Sequence, residues 1–185
     1  ARLLADRLDG VLTREPGGTL VGERIREVLL DPEVDGLDAR AEVLLMAADR
    51  AQHVAHVVVP ALDAGRVVVS DRSAYSSLAY QGYGRGLPLD DVSAVSAWAS
   101  VGRWPDLVVL LDVDERVQTE RLQRARDRVE QAGADFHRRV NEGYRVLAAA
   151  DPARWIVLDG SGTEEDVAVL VSGAVDGWMA GRGEH

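Results

Sequence analysis

The chain's chemical signals are carried by arginines. Arg72 follows Asp71 directly after the β-branched run Val67-Val68-Val69-Ser70. A guanidinium at the carboxyl end of a buried strand can present a planar fork to a phosphate. The adjacent Asp71 can orient it or hold a water on a magnesium ion. An ordinary surface Asp–Arg pair has the same spacing, so both readings stand on these residues alone. Arg50 lies within a helical stretch rich in Ala and Val, where a buried guanidinium needs a partner. That partner is either a ligand or a carboxylate such as Glu42 or Asp49. Arg124, Arg126 and Arg128 are closely spaced, flanked by Asp127 and Glu130. Between two helices, such arginines can close over phosphates and neutralise charge developing in phosphoryl transfer. On a solvated helix they would form i,i+4 pairs instead. His53 and His56 share a helix, but no third ligand is near, so they do not read as a metal site.

The elements that must position these residues follow from hydrophobic period and from turn signals. Ala1 to Leu8 starts inside a helical pattern and ends at Gly10. Val11 to Thr13 reads as a strand, and Pro16-Gly17-Gly18 as a turn. A helix runs through Val21, Ile25, Val28 and Leu29 and stops near Pro32. A long helix spans about Ala39 to Leu62. A buried strand follows over residues 66–70, then a helix from about Ala74 to Tyr80. The glycine runs at 82–86 and 160–162 lack the helix start that a phosphate nest needs and read as turns. Asp90 or Asp91 is expected to cap a helix through Val95 and Trp98. Leu107 to Val113 is the clearest strand. Helices are expected at Glu115 to Arg124 and Asp135 to Ala149, a strand at Trp155 to Leu158, and a closing helix at Thr163 to Ala180. Buried strands alternating with helices predict an α/β doubly wound parallel sheet with helices on both faces. Ligands of such sheets sit at the carboxyl ends of the strands. Thr13-Arg14-Glu15 and Ser70-Asp71-Arg72 occupy two such ends.

Composition narrows the function. The 185 residues fit one domain, with 46% hydrophobic and 28% charged residues. There is no cysteine, which excludes disulfide scaffolds and cysteine nucleophiles. All 21 Lys+Arg residues are arginine. The absence of lysine excludes Schiff-base chemistry and a phosphate loop of the G-x-x-x-x-G-K-[ST] kind within the chain. Codon bias towards Arg, Ala, Gly and Val accounts for most of that absence. The formal net charge of −10 argues against general nucleic-acid binding. No apolar run reaches the ~18 residues of a membrane span, and no signal peptide is visible. The expectation is a cytoplasmic protein.

Taken together, several motifs resemble thymidylate kinases. They are Thr13-Arg14-Glu15-Pro16-Gly17-Gly18-Thr19, Ala48-Asp49-Arg50-Ala51-Gln52, and Asp71-Arg72 with Ser76-Ser77-Leu78-Ala79-Tyr80-Gln81-Gly82. Arg103-Trp104-Pro105-Asp106-Leu107, Asp127-Arg128-Val129-Glu130 and Asp135-Phe136-His137-Arg138-Arg139-Val140 continue the match in order. The resemblance implies a P-loop nucleoside monophosphate kinase fold over residues 1–185, with a lid near 124–135. It implies transfer of the γ-phosphate of ATP to dTMP, with Mg2+, in a homodimer. By position, Arg72 is similar to the arginine on the dTMP phosphate, and Asp71 to its acidic partner, which reaches the metal through water. Arg50 resembles the guanidinium on the thymine carbonyl. Ser77 and Gln81 resemble base-edge residues, and Tyr80 the ring beneath the deoxyribose. Glu15 and Pro16 resemble the loop over the sugar. Met46 stands where many members have a phenylalanine on thymine, which raises another deoxynucleotide acceptor as an alternative. Arg124, Arg126 and Arg128 resemble the catalytic lid arginines.

Family members begin with a strand and a phosphate loop ending Gly-Lys-[Ser/Thr], ahead of a helix that Ala1 to Leu8 resembles. The family's expected lysine would precede Ala1. The first strand would lie between those at Val67 and Leu107, and its loss would leave a slot in the sheet. The expectation is therefore a remnant of a longer kinase, inactive by itself. The alternative is a deoxynucleotide-binding relative that lacks the ATP phosphate loop and does not catalyse.

Overall fold

The computed structural model describes residues 1–113 and 127–182. Its strands are β1 (Val11–Arg14), β2 (Val68–Asp71), β3 (Val108–Asp112) and β4 (Trp155–Asp159). They pair in parallel as β1 with β2 and β3 with β4. Among the described residues these are two two-stranded sheets, not one continuous ladder. The α/β class with parallel strands agrees with the sequence pattern, and the break in the ladder between β2 and β3 falls where a slot in the sheet was expected. The register sets Arg14 opposite Asp71. Glu15 N then donates to Asp71 O at 2.9 Å, extending the ladder by one residue. The two charged strand ends singled out in the sequence thus emerge side by side.

The helices are α1 (Arg2–Arg7), α2 (Leu20–Leu30), α3 (Ala39–His53), α4 (Val59–Asp63), α5 (Ala74–Ser77), α6 (Leu89–Ala99), α7 (Ala134–Ala150) and α8 (Glu164–Arg182). Thr19 caps α2, its Oγ1 accepting from Gly22 N at 2.9 Å, and Asp38 caps α3 through Arg40 N. A wide π turn over Val54–Val58 joins α3 to α4, so the long helix expected from the sequence is continuous but irregular. Pro88 precedes α6, with Asp90 and Asp91 in its first turn and no side-chain cap. Neither aspartate is the expected cap; both face the positive end of the helix dipole. Thr163 Oγ1 accepts from Asp166 N and donates to Asp166 Oδ2, starting α8. The helix expected at Glu115 to Arg124 lies outside the described residues. No described helix is long and apolar enough to cross a membrane.

Of residues 82–86, only Arg85 and Gly86, with Gly86 at φ +76°, form the turn that the glycines predict; Gly82 to Gly84 do not. α5 continues as a π helix from Leu78 to Gly84. A Cβ on Gly82 would lie 2.5 Å from Leu89 Cδ2, and one on Gly84 2.6 Å from Phe136 Cε2. These glycines provide close approach, not a turn. The core lies around this segment: Val43, Leu78 and Val92 form one cluster, and Ala79, Phe136 and Val140 another. The strands are less covered, with Leu111 43% exposed. The segment carrying Ser77 and Gln81 is therefore held by helix packing. Gly143 on α7 makes the corresponding approach from the other side, where a Cβ would fall 2.6 Å from Tyr83 Cγ. Because that atom is near the Tyr83 backbone, a valine cannot be accommodated by swinging the ring. Gly143→Val is expected to lower stability by about 1–3 kcal/mol, read as a shift in the urea unfolding midpoint.

Candidate active site

Six side chains meet in a buried cluster at the end of β1. Arg50 Nε donates to Glu15 Oε2 at 2.9 Å, with both residues almost completely buried. One Arg50 terminal nitrogen, NH2, donates to Ser77 Oγ at 3.1 Å and to the Ser73 carbonyl at 3.3 Å. The other, NH1, reaches Ser96 Oγ on α6. Burial alone would raise the Glu15 carboxyl, but Arg50 and then His53 overcome it and leave its pKa lowered. An ionised carboxylate only accepts, so His53 Nδ1, 3.1 Å from Glu15 Oε1, carries its proton and donates it. His53 Nε2 lies 2.6 Å from Thr13 Oγ1. The partner of Arg50 is therefore Glu15, not Glu42 or Asp49. His53 is committed to this cluster.

Asp49 takes a different part. Its Oδ1 accepts from Gly17 N at 2.8 Å, while Oδ2 is buried without a protein partner. It anchors the turn after Pro16, whose carbonyl accepts from Arg26 at 2.8 Å. Arg14 and Gly18 N both bond Glu23, closing the same turn. Nothing in the sequence pattern picks out Arg26 or Glu23 for this task.

Arg72 has φ +73°, a left-handed backbone that non-glycine residues rarely hold and that costs on the order of 1–3 kcal/mol. Ser70 Oγ donates to the Arg72 carbonyl at 2.8 Å and helps fix it. The strained turn carries the guanidinium over the Tyr80 ring, 4.8 Å from its centroid. Tyr80 packs edge-on against Phe136 and Tyr144. Tyr144 donates to Ser76 Oγ at 2.8 Å, and burial pushes its phenol up to about 12. Tyr144 is a site neighbour that sequence reasoning missed. Asp71 is exposed at the β2 terminus beside this platform.

Gln81 and Arg128 converge on Glu42. Gln81 Nε2 donates to Glu42 Oε1 at 2.8 Å, and Arg85 NH2 and Arg128 NH2 donate to Oε2 at 3.0 and 2.7 Å. Arg128 Nε also donates to the Leu29 carbonyl at 2.9 Å, and its backbone N to Leu30 O. Arg128 was expected among the catalytic lid arginines. Here a buried carboxylate and the open carbonyls at the end of α2 take up its donors. Arg124 and Arg126 lie outside the described residues. Met46 is buried on α3 between Glu42 and Arg50.

The thymidylate kinase family model matches residues 1–171. The chain belongs to the thymidylate kinase family. A thymidylate kinase of Pelotomaculum thermopropionicum is 47% identical, aligned over 98% of this chain and 89% of that protein. One of Desulfovibrio desulfuricans is 45% identical over 95% and 85%. The crystal structure of a thymidylate kinase from Ehrlichia chaffeensis superposes with TM-score 0.77 at 28% identity, covering 94% of this chain and 89% of that one. The fold is thus that of the P-loop nucleoside monophosphate kinases, and the chain is a kinase, a phosphotransferase, of that group. None of these comparisons bears out the expectation of an inactive remnant.

One titration follows from the geometry. Burial, with the Glu15 charge adding to it, pushes Asp49 up from 3.8 to about 6. A carboxyl raised in the folded state favours folding below its ordinary value, and that contribution is lost as pH rises through about 6. Asp49→Asn is therefore expected to gain on the wild type between pH 4 and pH 7, by about 1–3 kcal/mol. Urea unfolding of both proteins across that range checks it. Parallel profiles would assign the pH dependence to other groups.

Proposed function

We propose that the chain transfers the γ-phosphoryl group of ATP to dTMP, giving ADP and dTDP. The observation that carries this reading is the pairing of two chemically different surfaces at one strand edge. Arg72 on its aromatic platform supplies a planar cation for a monophosphate. The Arg50, Ser77 and Gln81 group supplies hydrogen bonds for a base edge, and Tyr80 supplies a ring for the sugar between them. Met46 offers a polarisable thioether to the base face. Glu15 and Pro16 begin the turn that borders the sugar. This division suits a small nucleotide with one phosphate bound at its remote end.

Phosphoryl transfer is largely a matter of position and charge neutralisation. Mg2+ bound with ATP would supply countercharge on the β- and γ-phosphates. It keeps several waters and takes few protein carboxylates, and the exposed Asp71 fits a contact through water. Glu15 does not fit that role, because Arg50 and His53 occupy both its oxygens. Arg72 holds the acceptor phosphate in place and offsets its charge, so that the incoming donor meets less repulsion.

The reading extends to a homodimer. Leu44 on α3 and Trp98 and Val101 at the end of α6 are 58%, 83% and 76% exposed. Ala51 shares a shallow pocket with Trp98, Ala99 and Val101. A second copy laid on this face would remove that apolar surface from water. Sedimentation equilibrium should give twice the chain mass, and Trp98→Asp should give a folded monomer. A wild-type monomer at micromolar concentration would exclude it.

Arg72→Ala is expected to lower kcat/KM for dTMP roughly 10- to 150-fold, the loss of a charge-assisted phosphate contact of about 1.5–3 kcal/mol. A coupled ADP-release assay with dTMP and ATP measures it. Wild-type turnover in the variant would remove Arg72 from the site. Tight dTMP binding by the wild type without any ADP release would instead favour a non-catalytic deoxynucleotide-binding protein.

A further inference from the structure

Glu42, Met46 and Arg50 lie four residues apart along α3, so they share one face of the helix. Ser77 and Gln81 are four apart on the facing segment. Two cross-links join the faces: Arg50 to Ser77 at 3.1 Å and Gln81 to Glu42 at 2.8 Å. Met46 lies between them in sequence. The first cross-link belongs to the nucleotide pocket argued above. The second controls which atom Gln81 presents to it.

Glu42 is 1% exposed. Burial would raise its carboxyl, but the hydrogen bonds from Arg85, Gln81 and Arg128 more than offset that and leave its pKa lowered. It is therefore an ionised carboxylate that can only accept. A carboxamide beside it has one stable orientation, with the NH2 donating to Glu42. The opposite orientation would set a carbonyl oxygen against a buried negative charge. The amide oxygen is left over, and Gln81 Oε1 is indeed buried with no hydrogen-bond partner. An unfilled buried acceptor demands a donor, and a ligand that offers another acceptor there is penalised.

We propose that Glu42 is a positioning residue that fixes Gln81 as an acceptor, and so selects pyrimidines bearing N3–H over those whose N3 is a bare acceptor. The proposal rests on the assignment of Gln81 to the base pocket. Thymine and uracil carry that hydrogen; cytosine does not. Glu42 thereby sets the hydrogen-bond polarity of the pocket without touching the nucleotide. Arg85 and Arg128 keep it ionised, and Arg128 ties the residues after 126 to the same carboxylate.

The test is a matrix of dissociation constants for dTMP, dUMP and dCMP, measured by calorimetry on the full chain and on Glu42→Gln and Gln81→Leu. The wild type should bind dCMP at least about 100-fold more weakly than dTMP. Glu42→Gln can either donate or accept, so Gln81 is free to turn over. The dCMP-to-dTMP ratio should fall at least about tenfold, while the dUMP-to-dTMP ratio, which reads only the methyl group, stays as it was. A purely structural role for Glu42 would weaken all three ligands together, and an unchanged dCMP-to-dTMP ratio overturns the proposal. Should Glu42→Gln fail to fold, Gln81→Leu decides: it removes the acceptor, so the ratio must fall, and persistence of the wild-type ratio is again fatal. Absence of dTMP binding by the folded wild type would sink the nucleotide assignment and this proposal with it. Tight dTMP binding with an unaltered ratio would sink only the role of Glu42.

Discussion

The buried ion pair between Glu15 and Arg50 is the constraint on which the site depends. Glu15 ends β1, Arg50 sits deep in α3, and the remaining donors of Arg50 reach the Ser73–Ser77 segment and α6. Withdrawing both charges from water carries a cost of several kcal/mol per ion, which their mutual attraction recovers only if the remaining lone pairs and protons are filled. Here most are filled, because His53 takes the second oxygen of Glu15 and Thr13 takes the far side of His53. Such a pair contributes position more than stability. Leaving any partner out would strand a charge in a dry environment, so the four segments can meet in only one arrangement.

That arrangement also explains the two π turns. One widens the long helix immediately after His53, and the other starts immediately after Ser77. Both adjoin residues of the buried network. A π turn inserts one residue and rotates everything beyond it, a device common at functional sites. Beyond Ser77 it carries Gln81 onto Glu42, while Gly82 and Gly84 let Leu89 and Phe136 close in without a clash. The glycines and the π geometry serve one end, which is to bring a polar helix face against another without a gap for water. Arg72 is the counterpart on the open side, where left-handed backbone carries the guanidinium onto an aromatic ring.

Much of this was legible in the residues. The four strands and most helices follow from β-branched runs and helical period, and the strand ends at Glu15 and Arg72 mark the site. The partner of Arg50 was not legible. Glu42 and Asp49 are near it in sequence, whereas Glu15 reaches it only because the end of β1 meets α3 through Thr13 and Glu15, a tertiary fact without local trace. The role of residues 82–84 was misread because glycine signals a turn and a close approach equally well. The contact of Arg128 with Glu42 was not legible either, because that carboxylate lies far off in the sequence. The spacing of Glu42, Met46 and Arg50 on one helix face was available as a signal and would have placed Glu42 in the pocket wall.

The absence of lysine takes on a meaning inside the protein that it does not have on the surface. At exposed pairs such as Arg24 with Glu27, an ammonium would serve equally well, since such pairs contribute about 0–1 kcal/mol. Arg50 and Arg128 are different. Arg50 reaches Glu15, Ser73, Ser77 and Ser96 from one planar group, and Arg128 bridges the Leu29 carbonyl and Glu42. An ammonium has three donors on one nitrogen and no fork, so it cannot span acceptors that lie on different elements. Buried lysine also loses its charge readily, whereas guanidinium keeps it. A network whose carboxylates must stay ionised to hold their neighbours in one orientation needs cations that stay charged without water. Codon bias accounts for the arginines in solvent, and the chemistry of burial accounts for those at the site.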